Sequence, residues 1–393
     1  MRVTILGGGF AGLSALRELT GAPGLSVRLI DRSDSAVFSP LLPDVVSARL
    51  RPRRLAFPLA RHCRRLGAEF IRANVLSIDP SAGRVETDAG AFEADFLLDA
   101  LGCETNYFGF EEARRKAIGL KSLAEAVSIR RRAVELLAGR RDGPVNLVIV
   151  GGGYTGFETA SHLAYLASGL TRLGFRELSR AANITVLEIA DEVLRNVSPR
   201  TRRWSLRLLK SLGVTVRTGT TVESFEGDAV RLTDGRVLPR ALVVWSPGVA
   251  PGQASAALAA SEGGRRLKVD PQLRLPGLPR CFAAGDVAAG VRPGENVPLR
   301  MGVQFSIAGG RLAAKNILRA AVGGELFTFN PLDPGYLVPL APGRAAGVVM
   351  GREFRGRFPY LLHYFMGVAR SWGWSNRMGL LGDMLLGLGT PEV

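Results

Sequence analysis

The sequence is poor in cysteine. Only Cys63, Cys103 and Cys281 occur among 393 residues, too few and too scattered for a disulfide framework or a zinc site. Neither a C-x-x-C nor a C-x-x-x-x-C pair is present, which excludes the redox cysteine pair of a dithiol catalyst. The count is typical of a reducing compartment, and we expect no metal site.

Acidic residues and long apolar runs are also scarce. The chain has 51 Lys and Arg and 35 Asp and Glu, which gives a formal charge of +16. Such a charge attracts anions: nucleic acid, anionic lipid or phosphorylated cofactors. No apolar run reaches the roughly 18 residues of a membrane-spanning helix, and residues 2–6 form a strand pattern rather than a secretory signal. We therefore expect no segment that crosses a bilayer.

One strand–loop–helix–strand unit occurs twice in the sequence. Residues 2–6 predict a buried strand, a glycine loop follows at 7–12, and a second strand at 26–30 ends in Asp31. With 47% hydrophobic residues the chain predicts folded domains, and its length exceeds that of one ordinary domain.

The second copy begins with a strand at 145–150 and a glycine loop at 151–156, and its next strand, 184–187, ends in Glu188. Two such copies predict two doubly wound α/β domains. The gap from Gly156 to Glu188 is 32 residues against 19 from Gly12 to Asp31. A longer helix or an insertion around 167–182 is therefore expected.

Each loop fits the glycine pattern of a dinucleotide site. The first glycine permits a tight turn, the second lets a pyrophosphate approach the backbone, and the third lets the helix pack on the strand. The strand-end acid accepts hydrogen bonds from a ribose hydroxyl. In the first copy the predicted ligands are Gly7, Gly9, Phe10, Ala11, Gly12 and Asp31. In the second copy they are Gly151, Gly153, Tyr154, Thr155, Gly156 and Glu188.

Two dinucleotide sites in a chain of this length predict one flavin and one nicotinamide. Gly285-Asp286 ends a later strand, where its carboxylate can meet the ribityl and pyrophosphate groups of FAD in the first site. Glu188 accepts from the 2′-hydroxyl of NADH and repels the 2′-phosphate of NADPH, although Arg195 lies nearby in sequence. The predicted cofactors are FAD and NADH.

The tail differs in composition from the rest of the chain. Residues 344–378 contain six arginines and one acid among many aromatic side chains, including Trp372 and Trp374. A basic amphipathic helix with tryptophans is typical of attachment to the surface of an anionic membrane. The alternative is a helical pair packed on the protein itself or on a second copy in a homodimer. Nucleic acid is not expected, because no recognised binding module accompanies the charge.

These motifs resemble the type II NADH dehydrogenases, the single-subunit NADH:quinone oxidoreductases, over essentially the whole length. The resemblance is carried by 5–13 (ILGGGFAGL), 38–42 (FSPLL), 100–109 (ALGCETNYFG), 151–160 (GGGYTGFETA), 244–248 (VWSPG), 282–287 (FAAGDV) and 374–383 (WSNRMGLLGD). A sulfide:quinone oxidoreductase would have little use for an intact nicotinamide loop, so the second loop argues against that class.

The resemblance implies roles for particular residues. Glu158 matches an acid near the nicotinamide and the flavin, and Gln304 matches the first glutamine of the quinone signature A-Q-x-A-x-Q-Q-G. Gly102 and Gln304 are implied on the FAD side, and Glu158 and Gly248 on the NADH side. The stretch 303–310 (VQFSIAGG) departs from the signature, since Ala308 and Gly309 replace the two later glutamines. A more apolar quinone pocket, with Phe305 or Ile307, is the expectation.

The sequence thus predicts an FAD-dependent enzyme that oxidises NADH and reduces a membrane quinone without pumping protons. Catalytic roles are expected for Glu158 and Gln304. The expected domains are an FAD domain in two parts, 1–115 and 251–330, an NADH domain at 116–250, and a C-terminal amphipathic membrane region at 331–393, binding anionic lipid through 352–388. The expected location is the cytoplasmic face of the cell membrane. Two alternatives stay open: a soluble diaphorase-like or ferredoxin-reductase-like enzyme, and a flavin-bearing NADH sensor.

Overall fold

The computed structural model describes residues 1–139, 145–172, 182–259, 266–341 and 343–386. The strands in those ranges are β1 (Arg2–Leu6), β2 (Ser26–Asp31), β3 (Ser35–Val37), β4 (Ala56–Pro58), β5 (Glu69–Arg72), β6 (Val75–Asp79), β7 (Arg84–Thr87), β8 (Gly90–Glu93), β9 (Phe96–Asp99), β10 (Cys103–Thr105), β11 (Val145–Val150), β12 (Ala182–Glu188), β13 (Val214–Thr218), β14 (Val222–Glu226), β15 (Ala229–Leu232), β16 (Val237–Leu238), β17 (Ala241–Trp245), β18 (Val249–Pro251), β19 (Arg274–Leu275), β20 (Leu278–Ala283), β21 (Gly335–Leu340), β22 (Arg344–Val349) and β23 (Arg352–Gly356). The α-helices are α1 (Phe10–Leu19), α2 (Leu42–Val46), α3 (Leu59–Arg65), α4 (Glu111–Lys116), α5 (Leu123–Ala138), α6 (Tyr154–Arg172), α7 (Pro199–Ser211), α8 (Gln253–Ala256), α9 (Val303–Ala321), α10 (Arg357–Arg370) and α11 (Trp374–Leu386). Short 3₁₀ turns lie at Ser39–Leu41, Pro52–Arg54 and Ala257–Ala259.

The first of two compact units consists of Met1–Ala36, Phe57–Glu104 and Val249–Asp333. Its main sheet has the order β19-β20-β9-β1-β2-β5, and every neighbouring pair is parallel except β19 and β20. The chain leaves the central strand β1 for β2 on one side and later pairs β9 on the other. The loop after β1 therefore lies at the switch point of the strand order, where sheets of this class bind ligands.

The second unit consists of Val37–Ala56, Thr105–Gly248 and Pro334–Val393. Its parallel sheet, β13-β12-β11-β17, has the same arrangement around β11. β14, β15 and β16 add an antiparallel sheet, and all six residues of β11 are buried. Such a continuous apolar run is what a parallel strand covered on both faces requires.

The two copies of the unit differ in helix length. α1 has 10 residues and α6 has 19, so the expected longer helix is present. The rest of the expected insertion, 173–181, lies outside the described residues. The helix α6 extends well beyond the glycine loop, which gives the second unit side chains for packing that α1 cannot provide.

The tail is partly sheet. β21, β22 and β23 form an antiparallel sheet before α10 and α11 begin. Residues 352–356, the start of the stretch expected to bind lipid, form a strand in which Arg355 pairs with Ala346 across the sheet. The helices themselves begin at Arg357 and Trp374. Among the described residues, no helix combines the length and the apolarity needed to cross a membrane.

The units divide the chain differently from the expected boundaries. Residues 37–56 group with the second unit, together with the tail, whereas the expected boundaries place them in the first domain. The physical reason is that α2, at the start of this segment, packs on α5 and α6 of the second unit. Sequence patterns around residue 40 carry no sign of that packing.

Candidate functional site

The first glycine loop wraps around the end of β1. Gly7 has φ +98°, and a Cβ there would lie 2.4 Å from the carbonyl oxygen of Ala100. A Cβ at Gly12 would lie 1.9 Å from the carbonyl oxygen of Gly7. Side chains are therefore excluded at both positions. Gly9, in contrast, is exposed and has no atom within 4 Å of a Cβ position, so its backbone is open to a ligand.

Asp31 at the end of β2 already contacts this loop. Its Oδ2 accepts a hydrogen bond from the Gly8 amide at 2.6 Å, and its Oδ1 accepts one from Ser33 at 2.7 Å. Burial raises the pKa of Asp31, while the two amide hydrogen bonds and Arg32 oppose that rise. The carboxylate is fixed at the edge of the loop, where a ribose hydroxyl can reach it.

The second loop repeats this geometry. Gly151 has φ +111°, and a Cβ at Gly156 would lie 1.9 Å from the Gly151 carbonyl oxygen. Glu188 is the counterpart of Asp31. Its Oε2 accepts a hydrogen bond from the Gly152 amide at 2.7 Å, and its Oε1 accepts one from the Ala190 amide at 3.0 Å. The repeat extends from the motif to individual hydrogen bonds.

Other predicted residues of the second site lie around this loop. Tyr154 and Thr155 begin α6, directly after the loop. Gly248 lies beyond the end of β17, with the Phe108 ring 3.4 Å from its Cβ position. Arg195 is paired with Asp191 at 2.5 Å, and both side chains are exposed.

One other predicted residue of the first site lies at a pocket near the N-terminus of α9. Asp286 lines this pocket with Arg266, and the Ser306 hydroxyl donates to Asp286 Oδ1 at 3.5 Å. Gly102, also in the first unit, has φ +74°. The pocket combines a carboxylate, a guanidinium and open space, which suits a polar phosphate-bearing ligand.

The departing stretch 303–310 forms the first turns of α9. Phe305 is buried and lines the pocket, with the Arg300 guanidinium 5.2 Å from its ring centre. Gln304 lies over Gly302, with its amide atoms 3.3–3.5 Å from the Cβ position there. Of the two expected apolar residues, Phe305 lines the pocket, and Ile307 is not among its lining residues.

Glu158 lies on α6 in the second unit, next to a buried polar cluster that sequence reasoning missed. We call Asp44, Arg49, His162 and Tyr364 the Asp44 cluster. The Tyr364 hydroxyl donates to Asp44 Oδ1 at 2.6 Å, and Arg49 lies 3.3 Å from the same oxygen. His162 Nε2 is 4.0 Å from Asp44 Oδ2. The available signal was a lone acid within the apolar run 40–46 (PLLPDVV).

Burial sets the protonation states of this region. It raises the pKa of Glu158 well above its usual range, and the charge of Asp44 adds to the rise. Burial also lowers the pKa of His162 to about 4, with Arg49 and His363 acting in the same direction and Asp44 opposing them. At neutral pH, His162 is thus neutral.

No cluster of His, Cys, Asp or Glu that could hold a metal ion occurs in the described part of the chain. Cys63, Cys103 and Cys281 are each buried, and none of the three is in a disulfide. The Cys103 thiol donates to the Asp286 carbonyl oxygen at 3.3 Å.

Comparison with known proteins places this geometry in a family. A family model described as pyridine nucleotide-disulphide oxidoreductase matches residues 1–308. A type II NADH:quinone oxidoreductase of Staphylococcus saprophyticus is 27% identical, with 91% of each chain covered. The type II NADH:quinone oxidoreductase Ndh of Mycobacterium tuberculosis is 29% identical over 97% of this chain and 86% of its own.

Solved structures show the same fold at lower identity. NDH2 from Plasmodium falciparum in complex with NADH superposes with a TM-score of 0.88 at 15% identity, covering 100% of this chain and 99% of that one. The sulfide:quinone oxidoreductase of Aquifex aeolicus gives 0.78 at 18% identity, covering 96% and 92%. The predicted fold class, with its two dinucleotide-binding domains, is confirmed.

Two adjacent glycines in α9 provide a test of how closely this site is packed. A Cβ at Gly310 would lie 2.1 Å from the Ala11 carbonyl oxygen in α1, whereas at Gly309 the nearest atom is 3.6 Å away. We expect Gly310→Ala to lower the free energy of unfolding by about 1–3 kcal/mol. Gly309→Ala should be neutral, or stabilising by up to about 1 kcal/mol.

Thermal unfolding of the two variants beside the wild type measures this difference. Equal melting temperatures for both substitutions would contradict the close contact between α1 and α9.

The glycine cradles, the strand-end acids and the match over residues 1–308 lead to one conclusion. The chain belongs to the pyridine nucleotide-disulphide oxidoreductase family and is an oxidoreductase.

Proposed function

We propose that this protein is an FAD-dependent NADH:quinone oxidoreductase that does not pump protons. The observation that carries the proposal is the duplicated site, in which the Gly8 amide donates to Asp31 and the Gly152 amide donates to Glu188. The names of the relatives, type II NADH:quinone oxidoreductase, support the choice of substrates.

The residues of the first unit fit FAD. The Gly9 backbone is open where a pyrophosphate would approach, and Asp31 and Asp286 offer carboxylates to the ribose and ribityl hydroxyls. Gly7 and Gly12 leave no room for side chains that would block the cradle. FAD, when bound, supplies the two-electron redox chemistry. The chain supplies binding, orientation and shielding from water.

The residues of the second unit fit NADH. Both carboxylate oxygens of Glu188 accept backbone amides, which holds the charge where a ribose 2′-hydroxyl can donate to it. Arg195 is paired with Asp191, and the carboxylate of Glu188 repels the 2′-phosphate of NADPH. These contacts favour NADH over NADPH.

Glu158 is the proposed catalytic acid. The overall reaction, NADH + H⁺ + quinone giving NAD⁺ + quinol, takes up one proton in each turnover. A carboxyl group whose pKa is raised by burial holds a proton more readily than an ordinary glutamate, and can release that proton and regain it from water. No other carboxylate in the motif 151–160 (GGGYTGFETA) is available for this role.

The quinone is the proposed electron acceptor. Gln304 offers an amide beside Gly302, and Phe305 offers apolar surface in the pocket. With Ala308 and Gly309 in place of glutamines, fewer hydrogen bonds are available to a quinone carbonyl. We therefore infer weak discrimination among quinone headgroups.

Attachment to a membrane surface is the proposed role of the tail helices. Apolar side chains of α10 and α11 are exposed along one face of each helix, at spacings of three and four residues. They are Phe358, Leu361, Phe365, Trp374, Met378, Leu381 and Leu385. Exposed Arg352, Arg355 and Arg357 lie just before or at the start of this face. A face of this composition suits an anionic lipid surface, and we place it on the cytoplasmic face of the cell membrane.

The acceptor experiment tests the proposed function directly. NADH oxidation by the holoenzyme is measured with ubiquinone and menaquinone analogues and with ferricyanide, which accepts electrons without a proton. We expect turnover with both quinones and an increase in quinone KM of up to about 10-fold for Gln304→Ala, since one hydrogen bond contributes about 0.5–1.5 kcal/mol. Turnover with ferricyanide or a protein acceptor but with neither quinone would favour a diaphorase-like enzyme, and NADH binding without turnover would favour a sensor.

A second prediction concerns nucleotide choice. Glu188→Gln removes the charge but keeps an acceptor for the Gly152 amide. We expect kcat/KM to fall about 10- to 100-fold for NADH, because hydrogen bonds to charged groups contribute about 1.5–3 kcal/mol, and to rise for NADPH. Glu226→Gln, an exposed charge removal elsewhere in the second unit, is the control. A wild type that uses NADPH as efficiently as NADH would contradict the role of Glu188.

A third prediction concerns the tail. Phe365→Ser combined with Trp374→Ser removes two large exposed side chains, each contributing about 1.5–3 kcal/mol when buried. We expect flotation with anionic vesicles to weaken by 100-fold or more, while FAD content is retained. Val322→Ser, an equally exposed apolar residue of the first unit, is the matched control. Full retention on vesicles by the double variant would rule out this face as the anchor.

A further inference from the structure

An exposed aromatic residue lies in the loop between β10 and α4 of the second unit. The side chain of Phe108 is 66% exposed. Its backbone has φ +52°, a left-handed conformation that is strained for a residue with a bulky side chain. Strained residues persist where the surrounding structure holds them, and they cluster at functional sites. The strain and the exposure of Phe108 together make it a candidate for contact with a ligand.

Hydrogen bonds fix the loop that carries Phe108 to the end of β17. The Asn106 amide donates to the Gly248 carbonyl oxygen at 3.0 Å, and the Trp245 indole donates to the Asn106 carbonyl oxygen at 2.9 Å. The Asn106 side chain in turn accepts a hydrogen bond from the Phe108 amide at 2.8 Å. The backbone of Phe108 is therefore held in place relative to the segment that follows β17.

The two other aromatic residues of this loop pack on the protein. Tyr107 stacks on Trp245 with ring centres 6.0 Å apart, and Phe110 meets the same indole edge-on at 5.9 Å. The Phe110 amide donates to the Tyr107 carbonyl oxygen at 2.9 Å, which closes a turn around Phe108 and Gly109. Packing on Trp245 therefore accounts for Tyr107 and Phe110, and it does not account for Phe108.

A chain of close contacts connects Phe108 to the second glycine loop. The Phe108 ring lies 3.4 Å from the Cβ position of Gly248, which follows β17. A Cβ at Gly151 would lie 2.4 Å from the Ser246 carbonyl oxygen and 2.7 Å from Pro247 Cα. The glycine loop, the segment after β17 and the Phe108 ring therefore lie side by side at the carboxyl end of the sheet, where sheets of this class bind ligands.

The strand order puts Glu188 and Phe108 on opposite sides of the glycine loop. β11 lies between β12 and β17, and Leu187, Val150 and Trp245 form one row across the three strand ends. Glu188 ends β12 on one side, and Phe108 lies beside the segment after β17 on the other side. Because the adenosine ribose of a dinucleotide binds the strand-end acid and its pyrophosphate binds the glycine loop, the β17 side remains for the nicotinamide half.

We propose that Phe108 is a binding residue of the NADH site and that its ring packs against the nicotinamide half of the dinucleotide. The proposal rests on the proposed function, because it takes the second glycine loop as the NADH site. An aromatic side chain offers a planar apolar surface to a planar ring, and ring pairs attract each other beyond the effect of the area they bury. The hydrogen bonds of Asn106 hold this surface in place before the ligand binds, which lowers the cost of binding.

Binding of NAD⁺ and of ADP-ribose to the oxidised holoenzyme tests the two halves of the dinucleotide separately. ADP-ribose keeps the adenosine ribose and the pyrophosphate and lacks the nicotinamide. We expect Phe108→Gly to raise the Kd of NAD⁺ about 10-fold, as the loss of one aromatic pair would, and to leave the Kd of ADP-ribose unchanged. Glu188→Gln is expected to raise both Kd values. Isothermal titration calorimetry measures these constants without turnover.

Further variants separate loss of the ring from a change in the turn. Phe108→Tyr keeps the ring and is expected to keep the wild-type Kd of NAD⁺, and Phe108→Leu serves if Phe108→Gly does not fold. Met350→Gly is the matched control, since Met350 is 63% exposed and has φ +47°. It precedes Gly351 at φ +79°, as Phe108 precedes a glycine at φ +77°. Because glycine adopts positive φ without strain, neither glycine variant should lower the melting temperature, and Met350→Gly should leave both Kd values unchanged.

The outcomes distinguish this proposal from the proposed function. Equal Kd values of NAD⁺ in wild type and Phe108→Gly would overturn the role of Phe108 and leave the NADH site standing. An equal rise for NAD⁺ and ADP-ribose in Phe108→Gly would also overturn it, because the ring would then not act on the nicotinamide half. If the wild type binds neither ligand, the second loop is not the NADH site, and the proposed function is wrong together with the role of Phe108.

Discussion

One hydrogen bond organises each half of the molecule: a loop amide donates to the carboxylate at the end of the neighbouring strand. The bond is 2.6 Å from Gly8 to Asp31 and 2.7 Å from Gly152 to Glu188. It requires the loop to turn back over the next strand, and that turn brings Gly7 and Gly12 against backbone. The same loop geometry therefore requires the glycines, the register of the strands and the position of the acid.

That constraint explains why the sites could be predicted from the sequence. A loop that excludes Cβ atoms leaves glycines at fixed spacing, and a parallel strand buried on both faces leaves an apolar run such as 145–150. Both signals are local, so they survive in a single sequence. The strand–loop–helix units were predicted for this reason, and the ends of β1 and β11 agree with the structure to the residue.

The Asp44 cluster could not be predicted in the same way. Tyr364 and Asp44 are 320 positions apart, and neither belongs to a periodic pattern that points to the other. The strand β23 was missed for a related reason, since pairing with β22 decides its conformation and the composition of residues 352–356 (REFRG) does not. Contacts made by tertiary packing leave little trace in composition.

The two adjacent glycines of the stretch 303–310 have different physical roles. A Cβ at Gly310 would collide with the Ala11 backbone, so glycine at this position is required by the packing of α9 on α1. Gly309 has ordinary van der Waals space toward Ala284, so the lost glutamine there changes the pocket without changing the packing. The sequence marks Gly309 as a departure from the signature and Gly310 as a match, and the backbone shows why a side chain is excluded at Gly310.

The tail connects the surface of the second unit to its interior. Because side chains of one helix turn face different directions, Phe365 can lie outward while Tyr364 bonds to Asp44. A force that moves α10 at its exposed face therefore acts on the partner of a buried carboxylate. The Tyr364–Asp44 hydrogen bond thus ties the position of α10 to that of α2 in the interior of the second unit.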